Sequence, residues 1–363
     1  MRLLNTHTSR LEEFTDDTIP SYVILSHRWQ NEEVLFDDWI SGRAHEKAGF
    51  GKIEGARKQA AARGFKYIWA DTFCIDKRSS SELSEAINSM FNWYKNADVC
   101  YAYLVDVPDR LESHSDPLFA QSEWFQRGWT LQELVAPKKM IFFSNGWVEI
   151  GSKVSLQHVL SAITGIEIGV LTYTTDLYSV SVAKRMSWAA NRRTTRIEDT
   201  AYCLMGLFNV NMPMIYGEGL KSFVRLQEEI IRNSDDESLF AWTDPEASPL
   251  TPCGLLATSP RHFAQCGEVS SYHSWDGQLP FSKTNKGFRI SLPLDPVGDD
   301  VYLATLNCRV SGEHEGVIGI YLKQLGWSAL DHREDQYARI NTNKLANPKR
   351  RGGVRHLYVL QQI

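Results

Sequence analysis

Three short stretches of the chain concentrate the residue types that bind and cleave polar ligands. Ser26-His27-Arg28-Trp29 and Asp71 to Asp76 each end an apolar run, and Trp124, Arg127, Trp129 and Glu133 follow one another closely further on. A guanidinium such as Arg28 or Arg127 can pair with an anionic group, and Trp29, Trp124 or Trp129 can stack on a flat ring. Plainer readings stand beside these. Arg28 and Arg127 can form ion pairs with Asp71, Asp76 or Glu123 that shape the strand ends. Asp71 and Asp76 can bond to their own loop, and Glu133 can be a solvated helix residue beside Leu131 and Leu134. Trp69 lies within an apolar run and reads as core, which leaves Trp29 as the better stacking candidate. His27 with Cys74 admits a cysteine-hydrolase reading, set against the commoner role of a buried thiol. Asp71 and Asp76 have no third ligand at suitable spacing, so no metal is expected.

These residues need elements that bring them to one place. Residues 21–29 open apolar and turn abruptly polar, as a strand buried on both faces does when it ends at a surface. Residues 53–63 read as a helix stopped by Gly64, and Tyr67 to Ala70 as a second strand. Ser79 and Glu82 are spaced as a capping box, and behind them Leu83, Ile87, Met90, Phe91 and Tyr94 mark one helix face. Val99 to Val105 makes a third strand, 129–135 a helix closed by Pro137, and Met140 to Phe143 a fourth strand. Alternating strands and helices with long connections imply a parallel sheet with helices on both faces. Ligands bind outside the carboxyl ends of such strands, where Ser26 to Trp29 and Asp71 to Asp76 would meet.

At 363 residues the chain is too long for one ordinary core. The expected division is 1–150 as an α/β domain, 151–235 as a helical region, and 236–363 as a small β-rich domain. The strands expected in the last are 288–292, 302–306 and 317–322, after an amphipathic helix marked by Leu220, Phe223, Val224, Gln227, Ile230 and Ile231. The Arg192 to Arg196 cluster reads as internal ion pairing, and Gly217-Glu218-Gly219 is too short for a nucleotide loop. A formal net charge of −5 argues against wholesale nucleic-acid binding. No apolar run has the length of a signal peptide or membrane span. Six scattered cysteines without CxxC spacing suit reduced thiols in the cytoplasm.

Four stretches resemble the HET (heterokaryon incompatibility) domain of fungal proteins. They are Tyr22-Val-Ile-Leu-Ser-His-Arg-Trp29, Tyr67-Ile-Trp-Ala-Asp-Thr-Phe-Cys-Ile-Asp76, Trp93-Tyr94-Lys95-Asn96-Ala97, and Trp124-Phe-Gln-Arg-Gly-Trp-Thr-Leu-Gln-Glu-Leu134. The resemblance covers roughly residues 20–145 and implies a role in allorecognition and programmed cell death. HET domains are in turn similar to TIR domains, some of which hydrolyse NAD. That likeness implies a TIR-like sheet, with Glu133 as the catalytic carboxylate and the loop after the first strand as a wall for the nicotinamide ribose. TIR loops commonly carry Gly where this chain has Trp29.

The implied substrate-binding set is Ser26, His27, Arg28, Trp29, Asp71, Cys74, Asp76, Trp124, Arg127 and Trp129. No cofactor is expected, NAD or a related nucleotide being the substrate, and a homo-oligomer is implied because a neighbouring subunit completes TIR clefts. The rival expectation is a non-enzymatic module whose Trp- and Arg-rich surface docks a signalling partner protein.

Overall fold

The computed structural model describes residues 1–110, 116–272, 280–311, 316–325, 336–349 and 352–361. By contacts the chain forms two compact units. The first comprises Met1–Asp176, Arg192–Thr195 and Tyr202–Met214, and the second comprises Leu177–Asn191, Arg196–Ala201 and Ile215–Ile363. The stretch 151–235 is therefore shared between both.

The first unit is a seven-stranded mixed sheet. Its strands are β1 (Arg2–Asn5), β2 (Leu11–Glu13), β3 (Val23–His27), β4 (Tyr67–Trp69), β5 (Val99–Tyr103), β6 (Met140–Phe143) and β7 (Glu149–Ser152), in the order β2-β1-β4-β3-β5-β6-β7. The four central strands run parallel, as their apolar runs require. The edges correct the expectation of a purely parallel sheet. β1 and β2 form an antiparallel pair on β4, and β7 runs antiparallel to β6. β2 and β7 are half-exposed, so no continuous apolar run announces them.

Helices α1 (Phe36–Ile40), α2 (Phe50–Ala62), α3 (Ser80–Asn96), α4 (Pro117–Ala120), α5 (Thr130–Val135), α6 (Gln157–Thr164) and α7 (Ile168–Leu171) complete this unit. Gly64, at φ +83°, stops the chain after α2. Ser79 caps α3 by accepting the Glu82 amide at 3.3 Å, and Ala86, Ile87, Met90, Phe91 and Tyr94 are its buried face. The reciprocal half of the expected capping box does not form. The Glu82 carboxylate turns to the Asp76 amide at 2.8 Å and to Arg2.

The second unit holds α8 (Val182–Ser187) and α10 (Lys221–Asn233), with α9 (Asp199–Tyr202) where the chain returns to the first unit. Its sheet consists of β8 (Val269–Ser271), β9 (Ser282–Thr284), β10 (Gly287–Pro296), β11 (Val301–Val310), β12 (Val317–Gln324), β13 (Gln336–Ile340) and β14 (Gly353–Val359). β10, β11, β12, β13 and β14 pair in a closed ring, antiparallel except for β13 with β14. The three strands expected from sequence fall in β10, β11 and β12. Arg339 is buried at the centre of this unit. It donates to the carbonyls of Phe240 and Trp242 at 2.8 and 2.5 Å and lies 3.9 Å over the Trp242 ring. All six cysteines are free thiols, and among the described residues no helix is long and apolar enough to cross a membrane.

Candidate functional site

β3 is buried along its whole length and ends in Ser26 and His27, whose side chains point to opposite faces of the sheet. On one face the Ser26 hydroxyl donates to the Glu133 carboxylate at 2.5 Å and accepts from the Trp124 indole N–H at 2.9 Å. On the other, His27 faces Glu33 and Asp71.

Glu133 sits on α5, a helix of fewer than two turns that could not hold its place unaided. Its start is pinned by Gly128, whose amide donates to the Arg193 carbonyl at 2.8 Å. A Cβ there would stand 2.5 Å from Thr194 Cγ2, so the close approach requires glycine. The Thr130 hydroxyl donates to the Arg127 carbonyl at 2.9 Å, and Arg192 donates to that same carbonyl and to the Thr130 hydroxyl. At the other end Lys153 donates to the carbonyls of Val135 and Pro137 at 3.3 and 2.8 Å, a donor where the helix leaves carbonyls unsatisfied.

Glu133 is buried, at 6% exposure. Burial, then Asp71, pushes its carboxyl up to about 7, against the pull of Ser26, Arg127 and Tyr94 in the other direction. A carboxyl so placed exchanges a proton near neutrality. His27 is held well below its ordinary value, first by burial and then by the positive charges of Lys52, Arg127 and Lys77, so the imidazole is neutral.

The other expected residues divide. Trp29 donates its indole N–H to Asp71 at 2.8 Å, and Lys77 stands 3.3 Å over the Trp29 ring. Arg28 pairs with Glu123, the plainer role foreseen for it. Arg127 has its Nε buried without a hydrogen-bond partner among the described residues. Trp129 is half-buried at the start of α5. Trp124 differs from the expectation of a stacking ring. It is 1% exposed and packed edge-on against Phe125 and Phe142, so only its N–H reaches the site. Asp76 is engaged by Arg78 through the guanidinium and through an Asx-type bond to the Arg78 amide.

Cys74 is buried and lines a cavity of about 250 Å³ with Arg2, Trp69, Glu82 and Trp93. Burial pushes its thiol up to about 12, and neither His27 nitrogen has a hydrogen-bond partner among the described residues, so the cysteine-hydrolase pairing is not formed. Of the Arg192 to Arg196 cluster, Arg192 bonds to a carbonyl and a hydroxyl, and Arg196 lies 4.4 Å over Tyr216.

Sequence reading missed Glu33, Lys52, Lys77 and Lys153, and took Arg192 only as part of an internally paired cluster. Lys77, adjoining Asp76, stood close enough to the motif to be found. The others are set by contacts between residues far apart in the chain.

Residues 22–117 match the heterokaryon incompatibility protein (HET) family, and residues 221–309 match a domain of unknown function, DUF8212. The first match contains Ser26 to Trp29 and Asp71 to Asp76, and Glu133 lies beyond it. Over 235 residues, 62% of this chain, the sequence is 46% identical to the vegetative incompatibility protein HET-E-1 of Podospora anserina. The match spans 17% of that relative's length. No solved structure matches the chain. By the family match together with this identity, the chain carries a heterokaryon incompatibility (HET) domain.

Proposed function

We propose that the first unit is a TIR-like nucleotide hydrolase that cleaves the N-glycosidic bond of NAD, with Glu133 as the reacting carboxylate. The observation that carries the reading is the Glu133 carboxyl itself. It stands at the carboxyl end of β3, bonded to Ser26 and near its midpoint of ionisation at neutral pH.

The chemistry asks little more of the protein. The bond between ribose and nicotinamide breaks with its electron pair passing to the ring nitrogen, which neutralises the cationic leaving group. Water adds to the ribosyl cation and loses a proton, giving nicotinamide, ADP-ribose and one proton. The ionised Glu133 stabilises the cationic transition state and can accept the proton from water. Arg127 suits the pyrophosphate, and Trp29 offers an aromatic wall once Lys77 leaves its ring.

The likeness to a vegetative incompatibility protein supports a role in fungal heterokaryon incompatibility and cell death; the same proposal sets the chain in the cytoplasm as a homo-oligomer whose assembly raises activity. One observation favours a second reading. Ser26 bridges Glu133 and Trp124 in a bonded chain, as a purely structural carboxyl would be held, and a docking module needs no more.

NAD consumption by the concentrated protein, with products separated by chromatography, decides between them. Loss of NAD with the wild type and none with Glu133→Gln supports the hydrolase. If neither protein consumes NAD or NADP when assembled, the docking module is the better account.

A further inference from the structure

On the opposite face of β3 from Glu133, His27 and two carboxylates converge. His27 is 3% exposed, and neither of its ring nitrogens has a hydrogen-bond partner among the described residues. Its Nε2 lies 3.9 Å from Glu33 Oε2 and 4.0 Å from Asp71 Oδ1, beyond direct hydrogen bonding. Glu33 Oε2 is likewise buried and unpartnered, while its other oxygen is taken by Lys52 at 2.6 Å and the Gln30 amide at 2.8 Å. Asp71 Oδ2 is used by the Trp29 indole, so Oδ1 is the oxygen turned to His27. Buried polar groups left unpaired are costly, and His27 Nε2 and Glu33 Oε2, with the half-exposed Asp71 Oδ1 beside them, stand at a spacing that suits small hydroxyl groups set among them.

We propose that Glu33, Asp71 and His27 form a diol-binding subsite that takes a ribose of the nucleotide. Two vicinal hydroxyls donate to Glu33 Oε2 and Asp71 Oδ1, and the neutral imidazole exchanges a further hydrogen bond with one of them. The charge balance favours a neutral group over an ion. Lys52 neutralises Glu33, Lys77 lies 3.8 Å from Asp71, and among the described residues no set of three acidic, His or Cys side chains could hold a metal. Glu33, His27 and Lys52 are buried whereas Asp71, Trp29 and Lys77 are half-exposed, so a ligand would enter past Asp71. The assignment rests on reading the strand ends as a nucleotide site and adds which part of the nucleotide binds there.

The test is equilibrium binding of ADP-ribose, which the hydrolase does not consume, beside its analogues lacking the 2′-hydroxyl on one ribose or the other. Calorimetry gives affinity, and the ¹⁵N resonances of His27 report contact. Expected are a loss of about tenfold to a hundredfold for one of the two analogues and a shift of the His27 Nε2 resonance on binding ADP-ribose. Glu33→Gln should reduce that discrimination. Because Glu33 also anchors Lys52, Asp71→Asn at the half-exposed position is the second variant, with the same expectation. Equal affinity for all three ligands overturns the diol subsite and leaves NAD hydrolysis standing. Discrimination without any NAD cleavage supports the subsite and removes the hydrolase. Absence of ADP-ribose binding overturns the subsite whatever the activity.

Discussion

Glu133→Gln should change how the stability of the first unit depends on pH, and the amount follows from the site. The carboxyl is buried, and its pKa stands at about 7 in the fold against 4.5 for an ordinary glutamate. Between pH 4.5 and 7 the folded chain keeps a proton that the unfolded chain has released. Stability contributed by this group is therefore highest below pH 4.5 and falls as pH rises, levelling above about 7.5. At 1.36 kcal/mol per pKa unit, the full fall is about 3 kcal/mol. Glutamine keeps the shape and an acceptor for Ser26 but cannot ionise. The stability of Glu133→Gln minus that of the wild type should thus rise by about 3 kcal/mol between pH 4.5 and 8. Lys77 and Lys153 also titrate abnormally, at about 8 and about 7, but they are common to both proteins and cancel in the difference. The assay is urea unfolding of both proteins at a series of pH values, read by tryptophan fluorescence. A difference flat to within about 0.5 kcal/mol would refute the reasoning, because it would mean an ordinary carboxyl. Ser26→Ala, which removes the bond that favours the ionised form, should move the wild-type transition to higher pH.

Gly128→Ala should destabilise by about 1–3 kcal/mol, because its Cβ would strike Thr194; thermal melts of Gly128→Ala with Thr194→Ser should recover part of the loss. Lys153→Met removes a buried amine whose pKa burial depresses to about 7. The wild type gains stability from pH 7 to 10 as the unfolded lysine alone stays protonated, so chemical denaturation should show the variant's relative stability declining over that window. Arg339→Met leaves the Phe240 and Trp242 carbonyls without their donor and should cost about 2 kcal/mol or more, read as a lower denaturant midpoint for the second unit. Lys77→Ala uncovers the Trp29 ring and, on the proposed hydrolase reading, should lower KM for NAD severalfold; an unchanged KM would remove Trp29 as the proposed stacking surface.

The chain by itself determined the elements whose signal is local. β3 through β6 are short apolar runs buried on both faces, α3 carries its N-cap and apolar stripe within one segment, and β10 to β12 read as strands from their own residues. It also brought Ser26 and Asp71 into view, because the ends of parallel strands gather on one edge, whereas Glu133 entered only through the resemblance to TIR domains. Only the tertiary structure decided the half-exposed edge strands, the closure of the second unit's ring and the environment of each polar group. Trp124 and Glu133 show why. Both are polar-tipped residues in an apolar neighbourhood, and nothing nearby in sequence says which tip is paired. That depends on Ser26, about a hundred residues earlier, and on Arg192 and Lys153, which hold α5 from later in the chain. Burial and proton affinity arise from charges gathered out of distant segments, so they exist only once the chain has folded.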